Sequence, residues 1–180
     1  FDDGIRFWVY AHRTAVLTLF AKVVSFLADP IRTIIICAIL VLVPITRSKF
    51  GIPAAAGALS VTILNKLIKN TVCRERPDEM YRLITEHGYS FASGHSITSM
   101  FMYGTLIYLL CKYMENKKAK NVLVTLCAIM LVTVGMSRVY LGVHYPTDVL
   151  AGWGLGVVAI CVTIIILETI EKRGKINGSN

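Results

Sequence analysis

Three short segments of this chain combine residue types that suit chemistry on a phosphate group. The first places Lys69 seven residues before Arg76, the second reads Ser93-Gly94-His95, and the third places Arg138 six residues before His144. Lysine and arginine hold phosphate oxygens through charged hydrogen bonds, and histidine is the side chain most often used for proton transfer. A glycine in the second segment also lets the backbone approach a ligand closely. The three segments therefore predict a site for phosphate chemistry.

The third segment continues to Asp148, four residues after His144. Side chains at this spacing can meet if the chain turns helically there. A carboxylate that binds one imidazole N–H orients the ring and leaves the other nitrogen free to attack. The pair favours an enzyme over a protein that only binds phosphate, because binding alone requires neither residue.

In this order and spacing, the segments resemble the type 2 phosphatidic acid phosphatase family of integral-membrane lipid phosphatases, from about Lys69 to Asp148. The resemblance implies catalytic roles for His144, His95 and Asp148. It also implies a phosphate-binding set made up of Lys69, Arg76, Ser93, Gly94 and Arg138. The chain departs from the family pattern at Ala92, where the family usually has proline. Alanine removes a backbone constraint but no reacting group, so we expect catalysis to survive.

The resemblance further implies a covalent mechanism without a metal or other cofactor. His144 is expected to attack the phosphorus and form a phosphohistidine, while His95 protonates the leaving oxygen and then activates water. The phosphate-binding set is expected to hold the remaining oxygens. The adjacent acids Asp2-Asp3 and Asp78-Glu79 lack the spacing of a magnesium or zinc site with the histidines.

The expected substrate is a lipid phosphate or diphosphate. Undecaprenyl diphosphate is favoured by analogy with the recycling of a polyprenyl carrier, and phosphatidate and phosphatidylglycerophosphate are the other candidates. A lipid phosphotransferase would use the same histidine chemistry with a lipid acceptor in place of water. A third class is a non-catalytic protein that binds or transports phospholipids. No obligate protein partner is inferred.

The composition predicts a membrane protein. Hydrophobic residues make up 55% of the 180 residues, and the mean hydropathy is +0.62, whereas soluble domains are about 45–50% apolar. We expect an all-α, polytopic transmembrane bundle, because each apolar run is close to the ~17–25 residues that cross a bilayer. The five predicted spans are Pro30–Thr46, Phe50–Ile68, Ile97–Tyr113, Asn121–Met136 and Pro146–Ile170. The family resemblance implies a sixth span, upstream of Phe1.

We expect a single membrane-embedded phosphatase domain over residues 1–180. Within residues 1–28, aromatic side chains such as Trp8 alternate with charged ones such as Arg13. This pattern predicts amphipathic helices that lie in the membrane interface. Residues 29–170 are expected to form the transmembrane bundle, and residues 171–180 a cytoplasmic tail.

The net charge of +8 does not indicate nucleic-acid binding, because the basic residues are distributed by membrane side. Clusters at Arg47–Lys49, Lys112–Lys120 and Lys172–Lys175 fall on one side if the five spans alternate. The positive-inside rule makes that side cytoplasmic. The three phosphate motifs are then expected to face the extracytoplasmic side of the cell membrane.

Some residues beside the motifs are expected to be structural rather than chemical. Gly152 and Gly156 form a small-xxx-small pair, which lets helix backbones approach closely in lipid. Four further residues could either contribute to substrate specificity or lie in a solvated loop, and we expect the solvated loop. They are Arg74, Arg82, Glu86 and Tyr89.

Overall fold

The computed structural model describes residues 1–29, 32, 35 and 52–177. Regular structure in these residues is helical throughout, in agreement with the predicted all-α class. The α-helices are α1 (Asp2–Ala11), α2 (Ala15–Leu27), α3 (Ile52–Val72), α4 (Gly94–Tyr113), α5 (Lys117–Tyr140) and α6 (Pro146–Asn177), and a short 3-10 helix spans Glu79–Tyr81. The predicted span Pro30–Thr46 and the basic cluster Arg47–Lys49 lie outside the described residues, apart from positions 32 and 35.

The predicted end of the fourth span at Met136 is wrong. The corresponding helix, α5, continues to Tyr140 and carries Arg138 in its last turn. Arg13, in the connection between α1 and α2, donates to the Tyr140 carbonyl from Nε at 3.0 Å and from Nη2 at 2.6 Å. This contact satisfies a carbonyl at the helix end. Arg13 lies far from Tyr140 in the sequence. The hydrophobic pattern of the span therefore did not predict that the helix continues to Tyr140.

Two helices in the described part of the chain are long and apolar enough to cross a membrane, namely Lys117–Tyr140 in α5 and Pro146–Thr169 in α6. The apolar helix α2 has 13 residues, fewer than the ~17 that a span needs. The first turns of helix α4 contain several buried polar residues, including His95 and Thr98. These residue types lower the mean hydropathy of the helix. The count of five spans therefore stays a prediction.

Helix α4 lies at the centre of the bundle, in contact with α3, α5 and α6. Phe101 and Ile97 are buried in a cluster with Ala58 and Val61 of α3. The Phe101 ring lies directly against Gly57, where an added Cβ would be 2.2 Å from the ring. Small residues on α3 therefore allow α4 to approach its backbone closely.

Two glycines of α6 make a close approach to α4, as the small-residue pattern predicts. A Cβ added at Gly152 would lie 2.9 Å from the Ser93 carbonyl oxygen, and one at Gly156 would lie 2.5 Å from the Met100 Cβ. At Gly154, an added Cβ would meet nothing within 4 Å among the described residues. The contact between the two helices fixes the relative position of their N-termini.

The connections at this end of the bundle are held together by backbone contacts. The Ser93 N–H donates to the Asp148 carbonyl at 3.1 Å, which joins the start of α4 to the start of α6. Gly142 adopts a φ of +77°, and a Cβ there would lie 2.2 Å from the Tyr81 carbonyl oxygen. Only glycine fits this position, since other residues rarely adopt that backbone conformation and the neighbour is backbone.

We predict that Gly156→Ala destabilises the bundle, whereas Gly154→Ala does not. The added methyl group at position 156 must displace α4, and overpacking of this kind costs about 1–3 kcal/mol. The same change at position 154 meets open space and removes helix-interior glycine, which is neutral or slightly stabilising. Thermal unfolding of both variants in the same detergent measures the difference. Equal midpoints for the two variants would contradict the packing described here.

Candidate active site

The eight residues that the sequence predicts for the site lie at one end of the bundle. This end contains the C-terminal ends of α3 and α5, the N-terminal ends of α4 and α6, and the connections between them. The residues are Lys69, Arg76, Ser93, Gly94, His95, Arg138, His144 and Asp148. The three motifs, separated in sequence, are therefore brought together in the fold.

His144 is 2% exposed and is held at both ring nitrogens. Its Nδ1 lies 3.3 Å from Asp148 Oδ2, and its Nε2 lies 3.3 Å from Arg76 Nη1. Because a guanidinium nitrogen can only donate, Nε2 must accept, and the ring proton is assigned to Nδ1, which donates to Asp148. In this tautomer, the lone pair of Nε2 faces the basic side chains.

The surroundings of His144 favour its neutral form. Burial lowers the pKa of His144 well below the ordinary histidine value, and the nearby charges of Arg138, Arg76 and Lys69 lower it further. Both effects disfavour the imidazolium ion. Near neutral pH, the imidazole is therefore uncharged and its Nε2 lone pair is available.

The carboxylate of Asp148 is completely buried and has a partner on each oxygen. In addition to His144, Oδ2 accepts the Tyr145 N–H at 3.0 Å. Oδ1 accepts from Arg74 Nη1 at 2.8 Å. The expectation of a solvated-loop position for Arg74 is therefore wrong. Its place two residues before Arg76, within the first motif, was the available signal.

Arg76 is fixed mainly by backbone carbonyl groups. Its Nε donates to the Gly88 carbonyl at 2.9 Å, Nη1 to that of Val143 at 2.9 Å, and Nη2 to that of His87 at 3.1 Å. These contacts tie the guanidinium to the connections on either side of the site. Arg76 can therefore present a positive charge to a ligand without reorganising.

Arg138 is 1% exposed and reaches across to α2. Its Nη1 donates to the Ser25 hydroxyl group and its Nη2 to the Glu86 carboxylate. Its Nε is buried and has no hydrogen-bond partner among the described residues. Ser25 was missed by the sequence analysis, because it belongs to a segment interpreted only as an amphipathic helix.

Glu86 also contacts Arg76, at 3.7 Å from Nη2, so one carboxylate lies between two arginines. The expectation of a solvated-loop role for Glu86 is therefore wrong. Arg82 donates to the Pro77 carbonyl at 2.7 Å and stabilises its own loop. The Tyr89 side chain is 39% exposed, in agreement with a solvated position. The Glu86 carboxylate is thus paired with the guanidinium groups of both Arg76 and Arg138.

The second motif forms the start of α4. Ser93 is the N-cap, and its Oγ accepts the N–H of Ser96 at 3.4 Å and the Ser96 hydroxyl at 2.9 Å. Its own hydroxyl hydrogen can still be donated. Gly94 and His95 follow in the first turn, where N–H groups have no intrahelical acceptor and favour an anion. Lys69 approaches from the end of α3 and donates to the Tyr89 carbonyl.

A cavity of about 750 Å³ opens next to the site. Apolar side chains of α2 and the connections, such as Phe26 and Ile84, line part of it, and His95, Glu86 and Arg138 line another part. A cavity lined by both apolar and charged side chains suits an amphiphilic molecule. The described residues contain no group of three or more His, Cys, Asp or Glu side chains arranged to hold a metal ion.

The known proteins that resemble this chain are of one type, namely phosphatases. Phosphatidylglycerophosphatase B of Bacillus subtilis is 41% identical over 111 residues, which are 61% of this chain and 54% of that protein. Undecaprenyl-diphosphatase of Sulfolobus acidocaldarius is 33% identical over 126 residues, 67% of this chain and 56% of that protein. The chain thus spans about half the length of the curated relatives it matches.

The fold of this chain matches that of a solved structure over most of the length of both proteins. The crystal structure of a transmembrane PAP2-type phosphatidylglycerolphosphate phosphatase from Bacillus subtilis superimposes with a TM-score of 0.81 at 30% identity, covering 94% of this chain and 85% of the other. The family model of the PAP2 superfamily matches residues 50–172, a range that contains all eight site residues. With its two long apolar helices, the chain is an integral membrane protein that belongs to the PAP2 superfamily.

Proposed function

We propose that this protein is a lipid phosphatase that hydrolyses a phosphate monoester or diphosphate of a membrane lipid through a phosphohistidine. The observation that carries the proposal is the environment of His144. Its Nδ1 is held by Asp148, while its Nε2 faces Arg76. A buried, neutral imidazole that is oriented by a carboxylate and aimed at cations is an activated nucleophile for a phosphate.

In the first step, basic side chains hold the phosphate oxygens while His144 attacks. Its Nε2 lone pair forms a bond to phosphorus as the bond between phosphorus and the lipid oxygen breaks. The electron pair of the broken bond leaves with the lipid oxygen, which takes a proton from His95. The Nδ1 proton stays on His144, where Asp148 accepts its hydrogen bond and stabilises the positive charge of the phosphorylated ring.

In the second step, water replaces the histidine. The water oxygen bonds to phosphorus and its proton passes to His95, which now acts as a base. The bond between Nε2 and phosphorus breaks, and its electron pair returns to Nε2. Inorganic phosphate is released, and both histidines regain their starting protonation states.

The position of Glu86 supports anion binding between the two arginines. Its carboxylate contacts Arg138 and Arg76 in the structure. In the proposed mechanism, the substrate phosphate takes this position and offers more acceptor oxygens than a carboxylate. The buried Nε of Arg138, which has no partner within the described part of the chain, would then gain an acceptor. Lys69, Ser93 and Gly94 complete the proposed phosphate-binding set.

The cavity and the relatives support the proposed substrate class. The neighbouring cavity is lined by both apolar and charged side chains, which fits a lipid whose headgroup carries phosphate. Two of the curated relatives are named for phosphatidylglycerophosphate and undecaprenyl diphosphate. We propose a substrate among these and phosphatidate, with undecaprenyl diphosphate favoured. Phosphate release from a panel of these lipids in detergent tests the assignment.

Replacing the proposed nucleophile should abolish turnover. We expect His144→Gln to reduce phosphate release by roughly 10⁴-fold or more, and Asp148→Asn to reduce it by at least about 100-fold because the imidazole loses its orienting acceptor. The reaction with labelled substrate is quenched, and the protein-bound phosphate is divided into acid-labile and acid-stable fractions. This comparison distinguishes a phosphohistidine from other adducts. His12→Gln is the matched control, since His12 is exposed just after the end of α1. Wild-type rates in His144→Gln would refute the mechanism.

Catalysis should not depend on a metal ion. We propose that Lys69, Arg76 and Arg138 supply the positive charge that a metal provides in other phosphatases. Activity should therefore persist in excess EDTA, and vanadate should inhibit, because it mimics pentacoordinate phosphorus. Loss of activity in EDTA that added Mg²⁺ restores would contradict the proposal.

The active site is proposed to face the extracytoplasmic side. Lys112, Lys117 and Lys118 lie at the opposite end of the bundle, and the positive-inside rule makes that end cytoplasmic. In a variant without native cysteines, Met80→Cys should react with a membrane-impermeant maleimide added to intact cells. Met80 is 80% exposed, and its helix is next to the site. Lys118→Cys should react only after permeabilisation, and the reverse pattern would place the site in the cytoplasm.

A further inference from the structure

Asp2, near the start of α1, lies against the N-terminus of α6, 145 positions further along the chain. Its Oδ1 accepts the Thr147 N–H at 2.9 Å, and its Oδ2 accepts the Thr147 hydroxyl at 2.6 Å. The Thr147 N–H is one of the first N–H groups of a helix and has no intrahelical acceptor. Asp2 therefore caps α6 from outside and attaches α1 to the helix that carries Asp148.

Arg74 connects this carboxylate to the site. Its Nη2 donates to Asp2 Oδ2 at 2.7 Å, and its Nη1 donates to Asp148 Oδ1 at 2.8 Å. Nη1 also lies 2.7 Å from the Thr147 hydroxyl oxygen, and the guanidinium lies 4.0 Å from the centre of the Tyr145 ring. The guanidinium group is thereby fixed on several sides. The groups follow one another in the order Asp2 carboxylate, Arg74 guanidinium, Asp148 carboxylate and His144 imidazole.

We propose that Arg74 and Asp2 are positioning residues that act on His144 through Asp148. The inference rests on the proposed function, because it concerns the same nucleophile. Arg74 contacts Asp148, and Asp2 contacts Arg74 and Thr147, rather than the imidazole itself. Arg74 fixes the rotation of the Asp148 carboxylate, so that Oδ2 rather than Oδ1 faces the imidazole. The effect resembles that of outer partners on metal ligands, which orient a group they do not react with.

Asp2 has a second effect, on charge. The positive charge of Arg74 attracts electron density from Asp148 and weakens its hold on the Nδ1 proton of His144. Because Asp2 shares the same guanidinium, part of that positive charge is compensated on the side away from the site. Hydrogen bonds from Thr147 and Arg74 outweigh the effect of burial and lower the pKa of Asp2, so its carboxylate is ionised at neutral pH. Asp148 then keeps its full charge for the imidazole.

The test compares Arg74→Gln and Asp2→Asn by kcat and KM. Arg74→Gln should lower kcat by about 10- to 100-fold, since the buried carboxylate loses its orienting partner. Asp2→Asn should lower kcat by about threefold to tenfold, because Arg74 remains. KM should stay within about twofold of wild type in both, because neither residue touches the substrate. Arg74→Lys, which keeps the charge, should recover part of the loss.

Asp3→Asn is the matched control. Asp3 follows Asp2 in the same helix, but it pairs with Arg6 at 2.8 Å and its side chain is 69% exposed. We expect wild-type kcat for this variant. A loss equal to that of Asp2→Asn would overturn the inference, because a general effect of acidic charge on α1 would then account for both.

A double-mutant cycle tests whether Asp2 acts through Arg74. If it does, Asp2→Asn should cause no further loss of kcat in the Arg74→Gln background. Multiplicative losses would overturn the inference, as would an increase in KM without a change in kcat. Thermal unfolding in detergent is measured for every variant, and losses of activity that only follow lost stability would reduce the network to a structural anchor.

A spectroscopic measurement separates this inference from the proposed function, since it requires no substrate. The Nδ1 proton of His144 should give a downfield NMR signal, identified by its absence in His144→Gln. Asp2→Asn should move the signal upfield and Arg74→Gln should broaden or remove it, whereas Asp3→Asn should leave it unchanged. An unchanged signal in all three variants would overturn the inference. Failure to hydrolyse any lipid phosphate, with these shifts observed, would overturn the proposed function alone.

Discussion

An ionised carboxylate removed from water requires donors and opposite charge around it, because the transfer of a bare charge to an apolar medium is very unfavourable. Asp148 is completely buried at the end of a membrane bundle, close to the proposed nucleophile. His144, the Tyr145 N–H and Arg74 occupy its two oxygens. Arg74 is in turn shared with Asp2. Charge compensation therefore determines which connections must meet at this end of the fold.

Helix packing makes that compensation possible. Asp148 and His95 belong to the first turns of α6 and α4, and Gly152 and Gly156 allow these two helices to touch. In lipid, apolar side chains gain little from burial against each other, so close backbone packing is the main source of helix association. A displacement of α6 by one methyl group would also move the carboxylate relative to its partners.

Sequence reasoning predicted the parts of the site that depend on local spacing. The meeting of His144 and Asp148 followed from their separation of four residues and from the helix start at Pro146. The same reasoning failed for Arg74 and Glu86, which it placed in a solvated loop. Glu86 meets Arg138, 52 positions away, and Arg74 meets Asp148, 74 positions away. Contacts of that range depend on how helices are assembled, which no single-sequence pattern specifies.

The cations at the site affect the nucleophile in two opposite ways during the proposed reaction. Before substrate binds, burial lowers the pKa of His144, and the charges of Arg138, Arg76 and Lys69 lower it further, so its lone pair stays free. A bound phosphate neutralises much of their field, so a positive charge on the imidazole becomes less unfavourable as the bond to phosphorus forms. Asp148 then stabilises that charge from the opposite side of the ring. In the proposed reaction, the same three side chains therefore have two roles: they hold the substrate, and they help burial to keep the histidine of the unliganded protein neutral.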